Sequence, residues 1–369
     1  MSLNARSGVA FEETLSRAKA ADAGEDARAA LATLFASVTP DSDFVDQARA
    51  ARALKRLHVG SLGLRPLRVA LVAGSTLDHF APVLRFWLAR MGFDAEVALS
   101  PFDTAVQSVL DPSSALRRSR PDIVWLFSTY RDLGLDVRPG STVEQVQEQV
   151  GAAVESRCVL WRQLTEHLGC TVIDNLVDVP AEDPFGNLSG SAPWGLRAML
   201  RRYNVDLAAA APSAVALFDL DHVASLWGRR RWEDARYWFH SKHAFALDAT
   251  GNVAHAAARL IAGARGLAKK CLVLDLDNTL WGGVIGDDGL AGIELGHGEA
   301  GEAFVALHRF VKALKDRGVI LAVCSKNDPD MAASVFREHP DSVLRFDDFA
   351  VFVANWRNKA DNIREIAAA

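Results

Sequence analysis

Cysteine is scarce in this chain, with four residues among 369, and no two of them have Cys-x-x-Cys spacing. The wide spacing of the four cysteines indicates neither a zinc knuckle nor a disulfide framework. The sequence also lacks an uninterrupted apolar stretch of the ~20 residues that cross a bilayer. Its N-terminus has no apolar signal-peptide core. We therefore expect a cytoplasmic protein with reduced thiols and no membrane partner.

An excess of positive charge is missing too, because the chain has 41 Lys and Arg residues and 46 Asp and Glu residues, which gives a formal net charge of −5. General nucleic-acid binders are normally basic, so we expect no nucleic-acid partner. Local basic clusters are nevertheless present, and the most compact is Arg229–Arg231. The length is sufficient for more than one domain with a large buried core.

The pattern along the chain predicts four segments. Residues 1–66, rich in Ala and charged side chains, are predicted to form a helical leader. Short apolar runs alternate with helical patterns over 67–245, which indicates a parallel sheet with helices on both faces, although 181–245 is less regular. A linking helix is predicted over 246–267, and a second α/β pattern over 268–369. The fold class is therefore predicted to be α/β.

Two carboxylates, Asp275 and Asp277, follow the predicted apolar strand 271–274. Open parallel sheets bind ligands beyond the carboxyl ends of their strands, and the two-residue period of a strand points both acids the same way. Two such carboxylates repel unless a cation lies between them, and Mg²⁺ prefers oxygen ligands. One carboxylate can attack phosphorus while the other moves protons. The pattern predicts a phosphoryl-transfer site with Asp275 and Asp277 as Mg²⁺ ligands.

Two later β/α units add groups at the same rim. Ser325 follows the predicted strand 319–324, and Lys326 and Asn327 adjoin it. Lys359 begins a later helix. As the third member of an ordered Asp-x-Asp, Ser, Lys series, Lys359 is predicted to anchor a phosphate.

At these residues the chain resembles the haloacid dehalogenase superfamily, and most closely its FkbH-like branch, whose members act in polyketide biosynthesis. The resemblance rests on the stretch KCLVLDLDNTLWGGVIGDDG at 270–289, on VCSKND at 323–328 and on NWRNKA at 355–360. A generic phosphatase does not need the Trp-Gly-Gly-Val-Ile-Gly part of the first stretch. The resemblance covers residues 65–369 and is stronger after 268.

The resemblance implies an SGNH-like (flavodoxin-like) parallel-sheet domain followed by a haloacid-dehalogenase-like Rossmannoid domain. It implies that Asp275 is the nucleophile and Asp277 the general acid/base, and that Ser325 and Lys359 bind phosphate. We expect the substrate to contact the neighbouring Thr279, Trp281, Gly282, Gly283, Lys326 and Asn327.

The resemblance further implies an enzyme that takes a phosphoglyceryl group from a phosphorylated glycerate donor, loads it on an acyl carrier protein and removes the phosphate. Carrier proteins are generally acidic, so Arg229–Arg231 offer a complementary patch. By position, Cys324 is the candidate acyl acceptor. Because strand side chains alternate, Cys324 faces the core if Ser325 faces the site, and a buried thiol is the favoured interpretation.

One departure from the superfamily is the fourth motif, an acidic pair that completes the Mg²⁺ site and does not occur before Ala369. We expect either a sequence truncated at its C-terminus or a degraded relative. Two other functions stay open: a catalytically impaired module that binds a carrier protein, and a small-molecule phosphatase.

The first α/β segment has a fainter signal. Ser75 follows a predicted strand and resembles the first block of SGNH-type hydrolases, with His240 and His243 where its partner would be expected. A Ser that caps the helix near His79 is the favoured interpretation. We expect this segment to bind the carrier or the acyl donor rather than to hydrolyse it.

Overall fold

A computed structural model describes residues 11–16, 25–56 and 63–369. Contacts divide the chain into two compact units, Met1–Leu267 and Ala268–Ala369. Each unit contains a parallel sheet with helices between its strands, so the predicted α/β class is confirmed. The first unit includes the linking helix predicted over 246–267 and the described parts of the predicted helical leader, of which 1–10, 17–24 and 57–62 lie outside the described residues. Among the described residues, no helix is long and apolar enough to cross a membrane.

The first unit contains a five-stranded parallel sheet. Its strands are β1 (Arg65–Ala73), β2 (Phe93–Leu99), β3 (Ile123–Phe127), β4 (Thr171–Leu176) and β5 (Val215–Asp219). They lie in the order β2-β1-β3-β4-β5. The chain leaves β1 for β2 on one side and then returns to β3 on the other. The point where the strand order reverses, which is where such sheets bind ligands, therefore lies between β1 and β3.

Helices cover both faces of this sheet. They are α1 (residues 11–16), α2 (Glu25–Ser37), α3 (Phe44–Arg56), α4 (Phe80–Arg90), α5 (Ala105–Leu110), α6 (Ala115–Ser119), α7 (Val143–Leu168), α8 (Leu188–Ser191), α9 (Leu196–Ala210), α10 (Leu220–Trp227), α11 (Arg229–Trp232), α12 (Ala235–Ser241) and α13 (Thr250–Ala264). One apolar core includes Leu34, Leu54, Trp87 and Ile261, and a second includes Trp161 and Tyr203. The helical leader and α13 thus share a core with β1.

Local sequence explains where several helices begin and end. The Thr142 side chain accepts a hydrogen bond from the Gln145 backbone N–H, and the Gln145 side chain accepts one from the Thr142 backbone N–H, so that a capping box starts α7. Gly169 ends that helix in the left-handed conformation. The interval 181–245 is more regular than predicted, because it contains α9 and β5. The buried side chains of α9, Met199, Leu200, Tyr203 and Leu207, recur at the three- and four-residue steps of one helix face.

The second unit contains three parallel strands, β6 (Cys271–Leu274), β7 (Ile320–Ser325) and β8 (Phe349–Ala354), in that order. Its helices are α14 (Ile285–Gly292), α15 (Gly298–Asp316), α16 (Pro329–Glu338) and α17 (Lys359–Ala368). Asp328 caps α16 by accepting hydrogen bonds from the backbone N–H groups of Asp330 and Met331, with Pro329 next in the chain. Because the strands are parallel, their carboxyl ends meet at one edge.

Candidate active site

Asp275 lies immediately beyond the carboxyl end of β6. Its Oδ2 accepts a hydrogen bond from Lys359 Nζ at 2.5 Å, and its Oδ1 accepts one from the Leu276 backbone N–H at 3.0 Å. Burial acts to raise the pKa of Asp275, but hydrogen bonds from Lys359, Ser325 and Leu276 outweigh it and lower that pKa below its ordinary value. The side chains of Asp275 and Lys359 are each 40% exposed. The carboxylate is therefore ionised and open to a ligand.

Asp277 is held by donors from three parts of the unit. Its Oδ1 accepts hydrogen bonds from Trp281 Nε1 at 3.0 Å and from the Ile285 backbone N–H at 3.2 Å. Its Oδ2 accepts one from Asn327 Nδ2 at 2.9 Å. These contacts fix the orientation of the second carboxylate before any ligand arrives.

Ser325 ends β7 and is buried at the same edge. Asn327 Nδ2 lies 3.3 Å from Ser325 Oγ and also donates to Asp277, so one amide group links the two side chains. The Ser325 side chain in turn makes a hydrogen bond to the Asp275 carboxylate. The structure thus brings together five residues singled out in the sequence: Asp275, Asp277, Ser325, Asn327 and Lys359.

The start of α17 explains how Lys359 reaches the site. Asn358 Oδ1 accepts a hydrogen bond from the Ala360 backbone N–H at 2.8 Å and caps the helix. This cap places Lys359 in the first turn, beside the end of β8. Lys326 is exposed to solvent, and Thr279 is half-buried in the turn after Asp277. The structure places neither of these two in the set of contacts around Asp275.

The structure corrects the prediction that Trp281 contacts the substrate. Its side chain is fully buried and lies against Phe336, with ring centroids 5.6 Å apart. A residue in the core cannot touch a ligand at the sheet edge. Through its hydrogen bond to Asp277, Trp281 instead positions the second carboxylate. The spacing of four residues between Asp277 and Trp281 is the only sign of this contact in the sequence.

Gly282 and Gly283 allow the loop after Asp277 to close. A Cβ atom on Gly282 would lie 2.5 Å from Glu294 Oε2 and 3.0 Å from Glu294 Cβ, so a larger residue would require Glu294 to shift. Gly283 has φ of 91°, and its N–H donates to Asn278 Oδ1 at 3.1 Å. Asn278 itself is left-handed, with φ of 53°. These two glycines have a clear structural role in the loop.

The thiol of Cys324 faces away from the site. Cys324 is buried in a small apolar cluster with Ala322 and Ile366, and its Sγ lies 3.8 Å from the Lys359 carbonyl oxygen. This is the buried orientation favoured by strand alternation, and it keeps an acyl donor from reaching the sulfur. Burial therefore argues against Cys324 as the acyl acceptor.

The oxygen atoms at the site suit a hard cation. Within the described ranges, no group of three or more His, Cys, Asp and Glu residues is arranged to hold a metal. Asp361 on α17 pairs with Arg364 at 2.6 Å and does not join Asp275 and Asp277. Mg²⁺, however, commonly uses one or two protein carboxylates, several waters and the substrate phosphate. Asp275 and Asp277 fit that pattern.

In the first unit, the predicted capping role of Ser75 is wrong. α4 begins after His79 with no side-chain cap, and Ser75 Oγ is buried without a hydrogen-bond partner among the described residues. His243 pairs by a backbone bridge with Thr76, whereas His240 is exposed on α12.

The fold and these contacts define a two-unit α/β protein whose second unit carries an aspartate pair beside Ser and Lys at a sheet edge. The model of the family "FkbH, N-terminal domain" matches residues 68–262, more than half of the chain, and the chain belongs to this family. The FkbH-like resemblance inferred from the sequence is thereby confirmed.

A solved structure is similar over most of its length. It is the N-terminal part of the protein BF1531 from Bacteroides fragilis, containing a phosphatase domain complexed with Mg. The two chains are 29% identical with a TM-score of 0.74, and the match covers 89% of this chain and 85% of that one. Among curated proteins, none matches the chain.

Proposed function

We propose that the second unit is a haloacid-dehalogenase-like phosphatase domain that uses Mg²⁺, with Asp275 as its nucleophile. The observation that carries the proposal is the placement of an ionised Asp275 between Lys359 and Ser325, beside an oriented Asp277. Similarity to a protein with a Mg-complexed phosphatase domain supports it. When bound by Asp275 and Asp277, Mg²⁺ would neutralise charge on the phosphate.

Each residue has a defined part in the reaction. A carboxylate oxygen of Asp275 attacks phosphorus as the bond from phosphorus to the leaving oxygen breaks, and Asp277 gives that oxygen its proton. Water then attacks the aspartyl phosphate, Asp277 takes a proton from this water, and phosphate leaves with Asp275 restored. Lys359 and Ser325 hold the phosphate oxygens. Since Lys359 already contacts Asp275, an arriving phosphate shares this ammonium with the nucleophile.

The substrate we propose is a phosphoglyceryl group carried by an acyl carrier protein. In loading from a doubly phosphorylated glycerate, the carrier thiol attacks the acyl carbon, the bond from this carbon to the phosphate oxygen breaks, and inorganic phosphate leaves with the thiol proton. The Asp275 site then removes the remaining phosphate. Membership of the FkbH N-terminal domain family supports this class of substrate. We infer that residues 67–245 form an SGNH-like domain that binds the carrier or the donor.

Trp356 suits a substrate larger than a simple phosphate ester. Its side chain is 76% exposed, and it lies three residues before Lys359. The residue before it is anchored, because the Asn355 N–H donates to the Ser325 carbonyl oxygen at 3.1 Å and Asn355 Oδ1 accepts from Asn362 Nδ2 at 2.9 Å. An exposed indole next to this anchor offers an apolar surface to the remainder of the ester.

Hydrolysis of p-nitrophenyl phosphate with Mg²⁺ tests the phosphatase proposal. Asp275→Asn should abolish phosphate release, and Asp277→Asn should slow it by about 10²–10⁴-fold because the proton relay is lost. Asp361→Asn is the matched control, since this acid lies on α17 outside the site, and it should keep wild-type activity. Mass spectrometry after acid quenching should find the phosphate adduct on the peptide that contains Asp275. Full activity in Asp275→Asn, or an adduct elsewhere, would remove this residue from the mechanism.

A second assay tests the substrate class. Phosphoglyceryl pantetheine thioester should be hydrolysed with a higher kcat/KM than 3-phosphoglycerate. Equal values would indicate a small-molecule phosphatase. A wild-type chain that binds the carrier protein but releases no phosphate from any of these compounds would indicate a binding module.

A further inference from the structure

His308 lies on α15 and is fully buried in the second unit. Its Nε2 atom lies 2.8 Å from the carbonyl oxygen of Leu280. Because a carbonyl oxygen can only accept a hydrogen bond, Nε2 carries the proton and donates it. Leu280 belongs to the turn that leads from Asp277 to Trp281, so a helix from a distant part of the sequence holds this turn.

The other ring nitrogen of His308 has no hydrogen-bond partner. Its Nδ1 is buried and makes no hydrogen bond to the described residues. Buried polar groups are nearly always paired, because an unpaired one destabilises the fold. A leucine would occupy the same apolar space without an unpaired nitrogen. The contact that a leucine could not make is the hydrogen bond to the Leu280 carbonyl.

The charge of the ring limits what His308 can do. Burial lowers the pKa of His308 below its ordinary value, although the bond to the Leu280 carbonyl opposes this effect. The imidazole is therefore neutral at neutral pH, with its single proton on Nε2. A neutral and fully buried ring cannot bind phosphate as a cation or exchange a proton with a ligand. Its effect on the site must come from the turn that it holds.

Aromatic packing keeps the imidazole in place. The His308 ring stacks on Phe336, with centroids 6.5 Å apart and an angle of 27° between the planes. Trp281 contacts the same Phe336 ring, with centroids 5.6 Å apart. One phenyl ring therefore contacts both His308 and the residue that follows Leu280 in the chain.

Two hydrogen bonds connect His308 to the second carboxylate. The first is the bond from His308 to the Leu280 carbonyl, and the second runs from Trp281 Nε1 to Asp277 Oδ1 at 3.0 Å. Leu280 and Trp281 are adjacent in the chain. The Leu280 N–H donates to the Leu276 carbonyl oxygen at 2.8 Å, so both backbone polar groups of Leu280 are held. A shift of the Leu280 carbonyl would move the indole that orients Asp277.

We propose that His308 is a positioning residue for Asp277, acting through Leu280 and Trp281. The inference rests on the phosphatase function proposed for the second unit, and it adds to that function a residue that does not touch the substrate. Proton transfer by Asp277 requires its carboxylate to lie within hydrogen-bond reach of the leaving oxygen. Small displacements of a reacting group lower the rate strongly, so the bond that holds the turn contributes to kcat.

Hydrolysis of p-nitrophenyl phosphate by the full chain with Mg²⁺ tests the role of His308. His308→Leu removes the donor, so kcat should fall roughly tenfold, the effect of one lost hydrogen bond, with little change in KM. His308→Gln keeps an N–H donor on a side chain of similar reach and should retain most of kcat. His339→Leu is the matched control, because His339 is also buried in the second unit but its Nδ1 accepts from the Asp341 backbone N–H. It should keep the wild-type kcat.

A double-variant cycle separates positioning from general damage to the fold. Because His308 acts through Trp281, His308→Leu should have little further effect on kcat in a Trp281→Phe background. If the two losses multiply in full, His308 serves the fold alone and the proposal is overturned. Unchanged kcat in His308→Leu, or an equal loss in His308→Leu and His308→Gln, would overturn it as well.

Nuclear magnetic resonance distinguishes this inference from the proposed function. The indole N–H resonance of Trp281, identified by its absence in Trp281→Phe, reports the bond to Asp277 without any substrate. It should move in His308→Leu and stay close to its wild-type position in His308→Gln. A wild-type chain that releases no phosphate would overturn the proposed function and, with it, any role of His308 in catalysis. With an active wild type, an unmoved resonance in His308→Leu would overturn the role of His308 alone.

Discussion

Lys359 Nζ lies 2.5 Å from Asp275 Oδ2, although 84 residues separate the two in the sequence. This contact opposes the effect of burial and keeps the pKa of Asp275 low. A carboxylate whose pKa is lower in the folded than in the unfolded state stabilises the fold above its unfolded pKa, and this contribution is lost as the pH falls through the folded pKa. Part of the acid sensitivity of the second unit therefore depends on Lys359.

Replacing this lysine should reduce that sensitivity. As the pH falls below about 4, the ordinary pKa of an aspartate, Lys359→Met should lose less unfolding free energy than the wild type, because the lysine no longer lowers the pKa of Asp275. Urea unfolding across this range measures the difference. Lys326→Met is the control, since Lys326 is exposed next to Ser325. An identical pH dependence in Lys359→Met and wild type would show that the ion pair does not form in solution.

Asp348 provides a second acid-sensitive contact. It is buried and accepts hydrogen bonds from Lys312 at 2.5 Å and Lys315 at 2.6 Å. Burial raises the pKa of Asp348, but these two contacts and the Arg345 N–H outweigh it and hold the pKa at about 2. Asp348→Asn should destabilise the protein at neutral pH by at most about 2 kcal/mol, because solvent partly screens both lysines.

The pH dependence of that difference is the sharper measurement. The stabilisation by Asp348 is fully present above about pH 4 and is lost as the pH falls toward about 2. Urea unfolding should therefore show wild type and Asp348→Asn converging over this interval. A constant gap between the two curves would contradict the assignment of the low pKa to Asp348.

The hydrogen bond from Trp281 to Asp277 predicts a positioning effect. Trp281→Phe keeps most of the buried ring but removes the donor, so kcat for phosphate release should fall roughly tenfold, the effect of one hydrogen bond to a charged group. KM should change little, because Trp281 does not reach the ligand. Trp227→Phe is the control, since its indole N–H has no hydrogen-bond partner among the described residues and it lies on α10 of the first unit. Unchanged kcat in Trp281→Phe would leave Trp281 as a core residue only.

Metal and phosphate should bind jointly. Two carboxylates make a weak Mg²⁺ site that a phosphate completes, so calorimetry should give tighter Mg²⁺ binding in the presence of inorganic phosphate. Asp275→Asn and Asp277→Asn should each weaken it. If Asp275→Asn bound Mg²⁺ as tightly as wild type with phosphate present, this pair would not be the metal site.

The three arginines of the basic cluster Arg229–Arg231 differ in their contacts. Arg229 donates to Asp221 at 2.6 and 2.9 Å and to the Val179 carbonyl oxygen at 2.7 Å, so it stabilises the first unit. Arg230 is exposed, and Arg231 lies over Trp227 at 4.7 Å. Replacing Arg230 and Arg231 by Ala should weaken binding to an acidic carrier protein, mainly at low salt.

The control for this surface is Arg162→Ala, which removes an exposed charge on α7. It should leave carrier affinity close to wild type. Equal affinities of the double variant and wild type at every ionic strength would mean that Arg230 and Arg231 form only a solvated face.

Sequence patterns predict much of the sheet framework and the order of the site. Strands such as β3 are continuous apolar runs. Asp275 follows β6, Ser325 ends β7 and Lys359 follows β8, so parallel pairing alone predicts one common edge. The burial of Trp281 could not be predicted, because spacing along a loop does not tell which side of it meets the core. The sequence also could not predict that the buried hydroxyl of Ser75 lacks a hydrogen-bond partner among the described residues, because this depends on segments that are distant in sequence.

The pairing of β6 has a consequence for the site. Leu274, the residue before Asp275, lies opposite Val323 on β7, two residues before Ser325. Asp275 and Ser325 are therefore carried by two hydrogen-bonded neighbouring strands. A substitution that shifts one of these strands should move the nucleophile and the phosphate-binding hydroxyl together.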